Sequence, residues 1–207
     1  MKKIFKKIMD FLVKKVGAIH WKTKKVITEA DKQKIKELLA ANYYIIATRR
    51  SNFLGSFCVR LAHFLVTGRW GYYSHVLMNL EGEVSNDEDF RLVEAVTKGV
   101  KYSTFNEVFN GVSAVALIVP KDMRPEEWSE VFERAKMSVG KPYDTMFDYK
   151  NDNALSCVEL VRNALMSLKN YYFRFSHFEA TIANAKTITP QMFLESPNFE
   201  VVFEVRQ

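Results

Sequence analysis

The stretch from Asn153 to Leu165, Asn-Ala-Leu-Ser-Cys-Val-Glu-Leu-Val-Arg-Asn-Ala-Leu, constrains this chain most, because it sets a helix start and puts a thiol on it. Ser156 followed three residues later by Glu159, just ahead of an apolar run, is a capping-box pattern. Ser156 is therefore the expected N-cap and Cys157 the first helical residue. Val158, Val161, Leu165 and Leu168 recur at helical spacing and give the helix a stripe with which to bind a core. At such a position the unsatisfied backbone N–H groups and the helix dipole favour a thiolate over a thiol. Two readings stand on these residues alone: Cys157 is a nucleophile, or it is a small core residue of a commonly buried type.

The rest of the chain supplies a body large enough for such a helix to dock on. With 207 residues, 48% of them hydrophobic and 14% aromatic, it can bury a full core and is expected to form one main domain with appended helix. Helices are expected over 31–40, 53–66 and 125–139, the last with Pro125 at its start and Gly140 at its end. Strands are expected over 43–48, 72–80, 89–96, 113–119 and 199–205. Cys58 and His63 fall within the second helix and read as structural. No run approaches the roughly 18 apolar residues of a membrane span. Cys58 and Cys157 are far apart and show no zinc-type spacing, so neither a disulfide framework nor a metal site is expected, and a reducing, cytoplasmic compartment is the default.

The charge is unevenly spread. Of 30 Lys and Arg and 24 Asp and Glu, residues 1–36 hold twelve lysines and only Asp10, Glu29 and Asp31, a local charge of +9 that leaves −3 for the remainder. A nucleic-acid-binding core would carry its cations on the domain itself, so no nucleic-acid partner is expected. Residues 2–19 read as an amphipathic helix, with Ile4, Phe5, Ile8, Phe11, Leu12, Val16 and Ile19 on one side and lysines largely on the other. It is interrupted by Asp10, Lys14 and Lys15 and lacks a small-x-small cleavage site, which argues against a signal peptide. Such a helix suits an anionic membrane surface, where each basic residue is worth about 1 kcal/mol, or packing on its own domain or a protein partner. The domain expectation is thus a basic helical segment over 1–40 and a folded domain over 41–207.

A thiol nucleophile needs a base, and the base needs a group to hold its tautomer. His75 lies in the expected strand 72–80, which a turn-like segment rich in Gly, Asn, Asp and Ser joins to the strand 89–96. A hairpin centred between Val84 and Ser85 sets Glu94 directly opposite His75 on one face of the sheet, close enough for the carboxylate to bond one ring nitrogen. The same two residues also read as a cross-strand polar pair without chemistry. His20, among lysines, and His177, in the aromatic run 171–178, compete poorly, and Asp144 reads as a structural residue of a Pro-containing turn.

Four blocks in order carry a resemblance: Trp70 to Met78; Leu92-Val93-Glu94-Ala95 with Gly99-Val100; Gly140-Lys-Pro-Tyr-Asp144; and Ser156 to Val161. Together they resemble the circularly permuted NlpC-type papain-like cysteine hydrolases, in particular the YiiX-like group, in which the histidine strand precedes the cysteine helix. The likeness runs over about residues 42–205. The group's usual Gly-Asp-Ile entry to the first strand is replaced here by Asn42-Tyr43-Tyr44-Ile45-Ile46. The resemblance implies an α+β fold, an antiparallel sheet packed against the nucleophile helix, with added N-terminal helices. It further implies Cys157 as nucleophile, His75 as base and Glu94 as orienting group, with Tyr143, Ser74 and Ser156 shaping the site. The implied reaction is cleavage of an amide or ester through an acyl-enzyme on a peptide, amide or lipid-ester substrate, with acyl transfer as a variant. No cofactor or metal is implied. The alternative from another class is a catalytically silent papain-like module, attached to a membrane or a partner through residues 2–19.

Overall fold

The computed structural model describes residues 7, 10–16, 19, 21, 25–51, 54–79, 91–146, 152–166, 168, 180–182 and 185–207. Its helices are α1 (Glu29–Ala41), α2 (Leu54–Thr67), α3 (Phe105–Phe109), α4 (Pro125–Lys136), α5 (Cys157–Leu165) and α6 (Pro190–Glu195). The strands are β1 (Ile45–Arg49), β2 (His75–Asn79), β3 (Leu92–Val96), β4 (Gly99–Ser103), β5 (Ala114–Pro120), β6 (Ala180–Ile182), β7 (Ala185–Thr187) and β8 (Phe199–Arg206). Six strands form one antiparallel sheet in the order β4-β3-β2-β1-β5-β8, and β6 pairs with β7 apart from it.

Alternation along the strands divides the interior in two. Ile45, Ala47, Val76, Met78, Val93 and Ala95 face a core that also takes Trp128 and Phe132 of α4, Val158 and Val161 of α5 and Phe193 of α6. Ile46, Leu77, Leu92, Leu117 and Val115 face the other core with Ile35 and Leu39 of α1 and Phe105 and Phe109 of α3. Helices therefore cover both faces of the sheet, and this α+β, papain-like layering is the expected architecture. Central β5 is buried throughout except at Val119, which explains why Ala-Val-Ala-Leu-Ile-Val carries no polar residue.

Local chemistry explains most element boundaries. Thr28 and Asp31 close a full capping box on α1, and Thr104 and Glu107 close another on α3. Pro125 opens α4, as its fixed φ favours, but that helix ends at Lys136, a turn earlier than expected. The buried Asn79 accepts from Tyr44 N and donates to Leu39 O and Asn42 O, so one amide ties the end of α1 to β1 and β2. Five short elements went unforeseen, β4, α3, β6, β7 and α6, each of three to six residues and so too brief to show a period.

Half of the helix expected over 2–19 lies outside the described residues. Leu12–Val16 forms a π-helical turn, Thr145 Oγ1 donates to the Asp10 carboxylate, and Leu54 N donates to Ile19 O, so this segment touches the domain at two points. Among the described residues, no helix is long and apolar enough to cross a membrane.

Candidate active site

The site lies where β2 begins and α5 begins. Cys157 is the first residue of α5, and burial of Val158, Leu160, Val161, Ala164 and Leu165 fixes that helix against β2 and β3. The N-cap falls at Ser156, as expected. Ser156 N donates to Glu159 Oε2 at 2.6 Å, whereas Ser156 Oγ is buried with no hydrogen-bond partner.

His75 opens β2 opposite Thr48 of β1. Its Nε2 lies 2.8 Å from Glu94 Oε2. The expected register is off by two residues: the ladder pairs Met78 with Val93 and Asn79 with Leu92. An even displacement preserves the face, so Glu94 meets His75 diagonally instead of directly, and the contact survives. Ser103 Oγ donates to Glu94 Oε1 at 2.6 Å, and Lys101 Nζ stands 3.9 Å from the same oxygen. Glu94 is buried, which by itself raises a carboxyl, but His75, Ser103 and Lys101 together hold it down to about 2. Burial likewise opposes the His75 charge, yet hydrogen bonds to Cys157 and Glu94 and the negative charge of both raise it to about 10. With Nε2 given to Glu94, Nδ1 is the ring nitrogen left for the thiol.

The segment before α5 is held along the free edge of β4. Val100 N donates to Lys141 O and Gly140 N to Val100 O, while Leu155 N donates to Pro142 O. Gly99 permits this approach: its φ is +114°, and a Cβ there would sit 2.7 Å from Lys141 O. Tyr143 and Asp144 are thereby brought beside the α5 start. Burial raises the Tyr143 phenol well above its usual range, and the nearby Cys157, Glu159 and Asp144 add to that. Asp144 accepts from Met146 N and contacts Glu159; burial and this second carboxyl push Glu159 up to about 7 against hydrogen bonding from Ser156.

The remaining sequence candidates fall elsewhere. Ser74 is buried, and its hydroxyl accepts from Ser56 of α2. His63 is buried with Nδ1 2.7 Å from Thr189 Oγ1, a structural position as expected. Cys58 is exposed and so carries no packing role. His20 and His177 lie outside the described residues. Sequence reasoning missed Ser103, Lys101 and the contact of Asp144 with Glu159. For Ser103 and Lys101 a signal existed in the turn Thr97-Lys98-Gly99, which returns the chain beside β3.

Residues 51–203 match the profile of a family described as permuted papain-like amidase enzymes, YaeF/YiiX, C92. The chain belongs to this family. The family is one of papain-like amidases and peptidases, which makes the chain a cysteine hydrolase in general class. In three dimensions it resembles the crystal structure of the metalloprotein yiiX from Escherichia coli O157:H7, at 19% identity and a TM-score of 0.57, over 81% of this chain and 99% of that one. No curated protein matches the chain in sequence. Among the described residues, no group of three or more His, Cys, Asp or Glu is placed to hold a metal ion.

Proposed function

We propose that the protein cleaves an amide or ester bond through an acyl-enzyme on Cys157, with His75 as base and Glu94 as the group that orients it. The observation that carries this reading is the His75 ring, bonded through Nε2 to a buried Glu94 and hydrogen-bonded to Cys157 at a helix start. Glu94 fixes the tautomer and favours imidazolium, so Nδ1 accepts the thiol proton as the sulfur attacks.

The Cys157 sulfur attacks the carbonyl carbon, and the oxyanion is met by the Cys157 N–H at the positive end of α5. The tetrahedral intermediate collapses, the C–N or C–O bond breaks, and Nδ1–H delivers its proton to the leaving amine or alcohol. Water gives a proton to His75 as it attacks the thioester, which releases the acid and restores the thiol. An alcohol or amine in place of water gives acyl transfer by the same steps.

Cys157→Ala and His75→Ala are each expected to abolish turnover in a panel of acyl donors while thermal unfolding remains cooperative. Mass spectrometry of wild-type protein trapped by acid quench is expected to find the acyl group on Cys157. Full activity in either variant, or an adduct on another residue, refutes the assignment.

A further inference from the structure

Helix α2 is built inside out. Its buried positions are Ser56 and His63, seven residues apart on one face. Leu54, Phe57, Cys58, Leu61, Phe64 and Leu65 recur at the spacing of an apolar stripe, which in a surface helix normally faces the core. Here that stripe faces outward: Phe57 is 45% exposed, Phe64 37% and Leu65 70%. Trp70, 52% exposed, extends it by stacking on Phe64 with ring centroids 5.1 Å apart and by lying 6.0 Å from Phe57. The polar face is anchored within the fold, Ser56 by Ser74 and His63 by Thr189 at Nδ1 with Glu195 3.5 Å from Nε2, so the orientation is not a matter of a slipped helix. A contiguous aromatic patch of this kind marks a surface that meets something apolar.

The charges around it select the partner. Residues 38–80 contain no Asp or Glu, and of their four arginines Arg60 and Arg69 lie on or just after α2, while Arg49 packs over Tyr72 and Arg50 donates to the Glu107, Val108 and Asn110 carbonyls. Leu54 N, at the start of α2, donates to Ile19 O, which ties the helix to the end of the lysine-rich segment 2–19. Symmetric pairing of two copies through this face would bring those two basic segments together. Glu195 meets this face but is paired to Arg69 at 3.0 Å and lies 3.5 Å from His63 Nε2, so Phe and Trp stand beside Arg and Lys as in a helix lying in a lipid interface.

We propose that α2 docks the protein on an anionic membrane, with Phe57, Phe64, Leu65 and Trp70 entering the interface and the basic N-terminal segment meeting the head groups. The helix lies in the plane of the interface, buried to the depth of its side chains, and does not span the bilayer. Attachment is independent of the chemistry proposed for Cys157.

The test is co-sedimentation of the full chain with phosphatidylcholine vesicles prepared with and without phosphatidylserine, together with quenching of tryptophan fluorescence by brominated acyl chains. Expected are binding to the anionic vesicles, quenching that falls in Trp70→Phe, and at least a tenfold weaker partition for Leu65→Glu, whose wild-type side chain is already in solvent. Phe57→Ser serves as a second variant if Leu65→Glu unfolds. Equal partition of the parent and both variants overturns the proposal, since lysines alone would then account for binding. So does equal binding to neutral vesicles, or a dimer in analytical ultracentrifugation that Leu65→Glu converts to monomer.

Discussion

Replacing Glu94 by Gln removes one charge from the centre of the candidate site and leaves its shape. Glu94 is 7% exposed and faces His75 at 2.8 Å, Ser103 at 2.6 Å and Lys101 at 3.9 Å. A carboxyl held at about 2 in place of 4.5 corresponds to ~3 kcal/mol of preference for the charged form in the folded state. The same contact viewed from His75 gives a larger figure, but that one includes Cys157, so the Glu94 value isolates the carboxylate better. Because the folded value is depressed, the contribution is present above the unfolded value near 4.5 and is lost as pH falls from there towards about 2. Urea unfolding of parent and Glu94→Gln at several pH values reads it directly. The expected gap is about 2–3 kcal/mol at neutral pH, steady down to roughly pH 5 and shrinking below it. A gap that stays constant to about pH 3, or one under about 0.5 kcal/mol at neutral pH, refutes the reasoning.

Two further substitutions probe the support of the site. Glu159 is raised from 4.5 to about 7, so its contribution is present below 4.5 and is lost as pH rises through 7; Glu159→Gln, neutral throughout, is expected to flatten the fall of stability over that window by up to ~3 kcal/mol. Melting curves of parent and variant that run parallel from about pH 5 to 8 would exclude it. Gly99→Ala forces both a strained φ and a Cβ against Lys141 O, and is expected to cost roughly 2–3 kcal/mol in chemical unfolding and to loosen the segment carrying Tyr143. A neutral Gly99→Ala would mean that the edge of β4 does not hold that segment.

What could be read in the chain itself was whatever neighbouring residues decide among themselves. Proline at the start of α4 and the helical spacing of Val158, Val161 and Leu165 depend on contacts within a few residues, and they are legible without the fold. The pairing of His75 with Glu94 was legible for a subtler reason: side chains alternate with period two, so an error of two residues in the register leaves them on one face. The resemblance of the ordered blocks carried the layering of helices on an antiparallel sheet.

Tertiary structure decided the rest. The period of α2 locates an apolar stripe but not which way it points, and only the hydrogen bonds of Ser56 and His63 turn it to solvent. Ser103 reaches Glu94 because β4 pairs beside β3, and Asp144 reaches Glu159 because a glycine lets the segment after α4 lie along an open strand edge. These contacts join residues from separate elements, and their energies exist only once the chain has closed the distance between them.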